Sequence, residues 1–376
     1  MRFLASVSDL KAAIKQASAA TAAKSANAAL QCLRIVATAE GLVLTGTNNA
    51  ITLSVPCAAN VETPGSILLD AGNLKQVMAV LPEGTVEFST SPDSTNRVDV
   101  RVGKSAYKLN YLDPADFPPT PVLAADRGIS VEAADMRKVL DRVTFSIAPD
   151  DNKYGLNGLH IEAADGDTML RAVATDGNRL SWAQVPFTGV LDIGRRMLIP
   201  LQAVLRLRGL VDGFTGPVLI AFAGSGAQAT VGGSTLHMRL MEAEFPNYKE
   251  VVPTSFLRTV DVERAMFLES LRRVSIFAKD GSRSVRFAFG EESILLSSRK
   301  LDAGDAREEL PAELRGEPIS MGFNADYIQE AVEAAGGGTI RLRLGDELSP
   351  AIVRGMDTKE TEDDSCLFVV MPVRLD

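Results

Sequence analysis

The chain repeats itself three times, with a period of about 125 residues, and this limits what it can fold into more than any other feature. Leu10, Ala13, Ile14 and Ala17 fall at i, i+3, i+4 and i+7, one face of a helix, with Ser8 as candidate N-cap. That face returns 126 residues on as Met136, Val139, Leu140 and Val143. After a further 131 it is Phe267, Ser270, Leu271 and Val274. A strand-like segment precedes each helix: Arg2-Phe3-Leu4, Gly128-Ile129-Ser130-Val131 and Thr259-Val260-Asp261-Val262. A second helix face recurs inside each third, as Leu74, Val77, Met78 and Leu81, then Val204, Leu207, Arg208 and Val211, then Ile328, Ala331, Val332 and Ala335. Alternating residues that read as strands close each third, starting near Val86, Val218 and Ile340.

The repeat predicts three units, 1–126, 127–253 and 254–376, each running strand, helix, several strands, twice over. Strands outnumber helices, and turn residues such as Asn48-Asn49 and Gly232-Gly233 mark hairpins. The fold class is therefore α+β, with mainly antiparallel sheets and helices confined to one face. At 376 residues and 46% hydrophobic, each third can bury its own core. No apolar run approaches the ~18 residues of a membrane span, and the N-terminus lacks the pattern of a secretory signal. Three scattered cysteines, Cys32, Cys57 and Cys366, form no disulfide framework or zinc spacing, so a reducing cytoplasm is the simplest reading.

The net charge is −9, distributed as −1, −1 and −7 over the three units. An acidic chain can bind a polyanion only where its basic residues are gathered locally. The outward positions of the first helix in each unit read Lys11/Arg137/Leu268, Lys15/Asp141/Arg272 and Gln16/Arg142/Arg273, mostly basic. Equivalent helices presenting positive charge to a polyanion and an ordinary solvated helix face both account for this. Catalytic chemistry has little to draw on: no Walker loop, dinucleotide fingerprint, nucleophile elbow or zinc spacing occurs. His160 and His237 sit in strand-like runs and read as structural, and Gly336-Gly337-Gly338 reads as a helix C-cap and turn. Thr361-Glu362-Asp363-Asp364 lacks calcium-loop spacing and reads as a solvated hairpin loop, with Cys366 beyond it as a small buried hydrophobe. No metal or cofactor is expected.

Four stretches go beyond pattern: Gly155-Leu156-Asn157-Gly158, Ala174-Thr175-Asp176-Gly177-Asn178-Arg179-Leu180, Phe245-Pro246-Asn247-Tyr248 and the terminal Val369-Val370-Met371-Pro372-Val373-Arg374-Leu375. With the threefold organisation, they make the chain resemble the bacterial sliding clamps, the β subunits of DNA polymerase III, over its full length. The resemblance implies a DNA-clamp fold of three domains in a head-to-tail homodimeric ring around duplex DNA. Such a clamp is not an enzyme. It tethers DNA polymerase and repair proteins and is handled by a clamp loader, with partners binding through a short linear peptide.

Carried over by motif, the peptide pocket comprises Leu156, Thr175, Gly177, Arg179, Leu180, Pro246, Val251, Tyr327, Val369, Met371, Pro372, Val373, Arg374 and Leu375. Its logic is an apolar groove for anchor side chains, with an adaptable methionine. DNA contacts are expected from Lys24, Lys153 and Tyr154 by resemblance, and from Arg142, Arg272 and Arg273 by the repeat. The dimer contact is expected to pair Tyr107 and Leu109 with Ile276 and Phe277. Three residues depart from the family pattern around the pocket: Asn178, Glu250 where an arginine is usual, and the extra Asp376. Alternatives from other classes are a clamp-like scaffold that no longer loads on DNA and an enzyme on the same scaffold. For the latter the sequence offers no acidic pair with partner residues.

Overall fold

The computed structural model describes residues 1–90, 96–121, 123, 128–149, 155–166, 168–191, 197–278, 283–300, 302–358 and 361–375. Among these residues there are six α-helices: α1 (Val7–Ala17), α2 (Ala71–Val80), α3 (Ala133–Val143), α4 (Leu201–Val211), α5 (Arg264–Val274) and α6 (Ala325–Ala335). They are the two helices of each repeat. The periodic apolar stripes drive them into the core: Val7, Leu10, Ala13, Ile14 and Ala17 in α1, and Phe267, Leu268, Ser270, Leu271 and Val274 in α5, are buried. Capping sets the starts. Glu263 accepts from the backbone N–H of Ala265 and Met266 at α5, and Asn324 from those of Asp326 and Tyr327 at α6. Gly336, with φ 71°, ends α6, as its sequence predicts.

All strand pairings within the four sheets are antiparallel. Sheet I orders Asn60–Thr63, Arg2–Ser6, Thr85–Thr90, Arg97–Val102 and Ser105–Asn110. Sheet II orders Thr188–Gly189, Gly128–Glu132, Pro217–Ala223, Gly226–Val231, Ser234–Arg239, Ile51–Cys57, Gly41–Thr47, Cys32–Thr38 and Gly65–Asp70. Sheet III orders Met197–Pro200, Gly158–Ala164, Met169–Thr175, Arg179–Pro186, Cys366–Val370, Ala351–Gly355, Thr339–Leu344, Arg258–Glu263 and Glu313–Arg315. Sheet IV orders Gly304–Pro311, Ser293–Lys300, Ser284–Phe289 and Ile319–Asn324.

Sheets II and III each run from one repeat into another. In sheet II the join is Ser234–Arg239 against Ile51–Cys57, with Leu236 opposite Leu53. In sheet III it is Arg179–Pro186 against Cys366–Val370, with Leu180 opposite Val369. Continuous ladders therefore cut across the second repeat. Residue contacts divide the chain into two compact units, one holding sheets I and II and the other sheets III and IV. Aromatic stacks seal the cores: Phe3 on Phe88 at 4.9 Å in the first, and Phe287 against Phe267, Phe289 and Phe323 in the second.

Five details correct the sequence reading. Ser6, not Ser8, occupies the N-cap of α1, and Ser8 lies in the first turn. Arg208 is exposed, because the buried stripe of α4 runs through Ala203, Val204, Leu207, Leu210 and Val211. Leu268 is buried, since the apolar face of α5 is wider than the four-residue pattern. Arg142 does not point freely outward: its side chain is 11% exposed and ion-paired. The acidic hairpin is not simply solvated either. Asp364 is exposed at 91%, but Glu362 is 8% exposed and receives Arg341, Arg343 and Arg354 at 2.6–3.6 Å. Three guanidiniums around one carboxylate offset the cost of removing it from water.

Candidate binding groove and cationic helices

One face of sheet III carries Val173, Leu180, Leu198, Ile352, Leu367 and Val369 in an apolar cluster with Phe245 and Tyr248. Trp182, Met241, Val252 and Phe256 pack at its margin. The segment after the last strand of sheet II therefore lies across this face. The Gly155-Leu156-Asn157-Gly158 motif explains the close approach. Gly155 has φ +66°, and a Cβ there would fall 2.5 Å from the Ala243 Cβ. Phe245 and Tyr248 turn inward, and a short turn at Tyr248–Glu250 leaves Pro246 and Val251 exposed. Leu156 is buried, and its carbonyl accepts from the Ala148 N–H.

The Thr175–Arg179 hairpin turn closes the end of this face. Thr175 Oγ1 donates to the Arg179 carbonyl at 2.6 Å and accepts from the Gly177 N–H, while Asp176 accepts from the Asn178 and Arg179 N–H groups. Leu180 faces the apolar cluster. Arg179 faces the opposite side, where its guanidinium is pinned by Asp176 at 3.0 Å, by Glu330 of α6 and by the Phe145 carbonyl. It also lies over the Tyr327 ring at 4.5 Å and the Phe145 ring at 5.2 Å.

The C-terminal segment completes the rim. The Met371 N–H donates to the Asn178 carbonyl at 2.9 Å, and the Val373 N–H to the Gly322 carbonyl at 2.9 Å. Met371 and Leu375 are 39% and 40% exposed, Pro372 and Val373 half-buried, and Arg374 exposed. The predicted pocket residues thus converge on one end of sheet III. Leu180 and Val369 belong to the apolar face, Pro246 and Val251 flank the inward Tyr248, Arg179 and Tyr327 lie on the helix side, Met371 bonds the Asn178 carbonyl, and Val373 and Leu375 lie against Gly322. Asp376 lies outside the described residues.

The predicted DNA-contacting cations are less free. Arg142 donates to Asp363 at 2.6 Å and to Ser365 at 2.7 Å. Burial pushes the Asp363 carboxyl up, but hydrogen bonds from Ser365 and Arg142 outweigh it and bring it down to about 2. Arg272 pairs with Glu333 at 2.7 Å. Arg273 pairs with Glu308 at 2.6 Å and with Glu269 at 3.8 Å, and it holds the Glu308 carboxyl below the usual range. Lys24 is exposed. Lys153 and Tyr154 lie outside the described residues.

At the predicted dimer contact, Tyr107 and Leu109 sit on Ser105–Asn110, an edge strand of sheet I. Ile276 is 55% exposed, and Phe277 lies beside Gly304 at the start of Gly304–Pro311, an edge strand of sheet IV. Sequence reasoning missed Glu330, Phe145, Asp363 and Gly322 as partners of these residues. Each acts on the site from a remote stretch of chain, so no local spacing marks it.

Repeats whose strands run on from one to the next, each with a pair of helices, define the DNA-clamp class. Family models for the N-terminal, central and C-terminal domains of the DNA polymerase III beta subunit match residues 1–121, 130–247 and 249–374. The beta sliding clamp of Caulobacter vibrioides is 29% identical over 321 residues, 84% of each chain. That of Vibrio cholerae is 30% identical over 311 residues, 83% of this chain and 82% of its own. Among solved structures, the sliding clamp of Bartonella birtlesii bound to griselimycin matches over the whole of both chains, at a TM-score of 0.92 and 26% identity. The Pseudomonas aeruginosa clamp bound to griselimycin gives 0.91 and 26%, again over both whole chains. The chain belongs to the DNA polymerase III beta subunit family, the beta sliding clamps. Its function is that of a non-catalytic processivity subunit in DNA replication.

Proposed function

We propose that two copies of this chain close head to tail into a ring around duplex DNA, in the cytoplasm. Each copy contributes three clamp domains, 1–126, 127–253 and 254–376. The observation that carries this is the strand count. Among the described residues two of the sheets have nine strands and span two repeats, while sheets I and IV have five and four and end in Ser105–Asn110 and Gly304–Pro311. Pairing those two edges between copies makes a third nine-stranded sheet, with Tyr107 and Leu109 meeting Ile276 and Phe277, and closes a cyclic assembly. Polymerase, clamp loader and repair proteins then dock through a short peptide in the groove at the end of sheet III. Lys24, Arg142, Lys153, Tyr154, Arg272 and Arg273 supply phosphate contacts indifferent to sequence.

A second reading is favoured by one observation: Arg142, Arg272 and Arg273 all carry carboxylate partners. On this reading the chain tethers proteins but is no longer loaded on DNA. Incubation with a clamp loader, ATP and nicked circular DNA separates the two. A working clamp is retained on the circle and released when the circle is cut. A scaffold is not retained on either form.

A further inference from the structure

We propose that Glu162 is a positioning residue for the peptide groove: through Tyr248 it holds the wall that carries Pro246 and Val251 on the face of sheet III. This rests on reading the groove as the partner-peptide site.

Glu162 lies in the strand Gly158–Ala164, two residues after His160, so both side chains rise from the same face of the sheet. Each takes one inward residue of the covering segment. The His160 ring stacks on Phe245 at 5.0 Å with 9° between planes. The Tyr248 hydroxyl donates to Glu162 Oε1 at 2.5 Å. The two attachments bracket Pro246, and Val251 follows three residues after the second. From Tyr248 to Val251 the main-chain bonds are local: the Tyr248 N–H donates to the Pro246 carbonyl, and the Val251 N–H to that of Tyr248. Tyr248 therefore attaches this turn to the sheet through its side chain, by a charge-assisted bond.

Glu162 is itself well held. Arg171 Nη1 stands 3.7 Å away, Lys249 Nζ 3.8 Å and His160 Nε2 3.6 Å. Burial pushes its carboxyl up, but His160, Tyr248 and Lys249 outweigh burial and bring it to about 2, so it is a full acceptor at neutral pH. Burial and Glu162 together push the Tyr248 phenol up to about 12, which keeps its proton on the donor side. If this bond is lost, the turn at Tyr248–Glu250 can lift from the sheet, and Pro246 and Val251 move with it. Glu162 touches no peptide on this account. It acts only through Tyr248.

The chain's one tryptophan supplies the readout. Trp182 packs against the same cluster as Tyr248, so its emission reports whether the wall is seated. The probe is a fluorescein-labelled seven-residue peptide with two leucine anchors, titrated into the full-length protein by fluorescence anisotropy. Tyr248→Phe removes only the hydroxyl, and Glu162→Gln only the charge. Each is expected to weaken the peptide about tenfold, the scale of one charge-assisted hydrogen bond. The double variant should be no weaker than either single variant. Trp182 emission should shift to the red in all three and return at saturating peptide.

Met371→Ser serves as the groove control. If it loses the peptide while Glu162→Gln and Tyr248→Phe bind like wild type, the positioning role is wrong and the groove stands. If the double variant loses the product of the two single effects, the residues act separately and the proposal is also wrong. If Met371→Ser binds like wild type, the groove reading falls and takes the proposal with it. Should Glu162→Gln fail to fold, Tyr248→Phe alone decides the matter, because it deletes only the hydroxyl and leaves the ring packed.

Discussion

Replacing Gly322 by alanine should loosen the partner groove without disturbing the sheet that carries the mutation. Gly322 lies in the strand Ile319–Asn324 between the buried Met321 and Phe323. A Cβ there would come within 2.6 Å of the Val373 carbonyl oxygen and 2.8 Å of Leu375 Cδ2. The first contact is backbone, so it cannot be relieved by rotating a side chain, and overpacking of this kind costs about 1–3 kcal/mol. The strand is firmly held: Ser284–Phe289 pairs along its length on one side, and Phe323 is fully buried. The terminal segment is held less, by the Met371 bond to Asn178, the Val373 bond to Gly322 and the partly exposed Leu375. It is therefore the segment that moves, with about 0.5–1.5 kcal/mol of hydrogen bonding lost. Met371 and Pro372 are carried on it. A cost of about 1–2 kcal/mol to re-seat the rim weakens peptide binding by about 5- to 30-fold. Anisotropy titration measures that, and amide exchange at Val373 should quicken in parallel while exchange in Ser284–Phe289 stays slow. Wild-type affinity with a protected Val373 amide would refute the reasoning, since it would mean the tail accommodates a methyl group where 2.6 Å is available.

Further outcomes follow from the ion pairs and the sheet edges. Glu269→Gln with Glu308→Gln should release Arg273 and steepen the slope of log K against log salt for duplex DNA by about 0.9; an unchanged slope would remove Arg273 from the phosphate contacts. Arg142→Ala strands Asp363 in a partly buried site and should cost about 3 kcal/mol in denaturant unfolding, far more than loss of an exposed arginine. Asp363 and Glu162 are both held at about 2, below their ordinary 3.8 and 4.5. Their folded values are depressed, so the stability they add is complete above the unfolded values and lost as pH falls toward 2; Asp363→Asn should be less stable at neutral pH and lose less on acidification between those limits. Ile276→Ala with Phe277→Ala should shift sedimentation toward the monomer, since each large side chain buried at the edge contributes about 1.5–3 kcal/mol.

The helices were legible because an apolar stripe at helical spacing is a local property. Leu10, Ala13, Ile14 and Ala17 can be read from eleven residues, and each of them is buried. The threefold repeat was legible for the same reason, three times over. Sheet order was not. Nothing near Leu180 states that its cross-strand neighbour is Val369, nearly two hundred positions on, and the nine-stranded sheets exist only through such pairings. The groove motifs were visible as residue types, but their support was not. Gly322 looks like any strand glycine until the terminal segment lies against it, and Glu162 reads as one polar residue in an alternating strand. Charge was misread at Arg142 because helical spacing gives direction, while the partner Asp363 comes from a hairpin that seemed to belong to solvent.

The paired arginines bear on how a clamp can hold DNA at all. A protein that grips DNA by contacts needs free cations, and each neutralised phosphate adds to affinity and to friction along the duplex. A closed ring needs neither, because it is retained by topology once it encircles the strand. Arg272 and Arg273 already have Glu333, Glu308 and Glu269 within 3.8 Å, so a phosphate must compete with a carboxylate for each guanidinium. Exposed pairs of this kind contribute little, so the exchange is nearly neutral in energy and quickly reversed. Contacts made and surrendered at little cost suit a ring that must slide. In the ring proposed above they also place the demand for stability on closure, at the edges Ser105–Asn110 and Gly304–Pro311, and not on the helices.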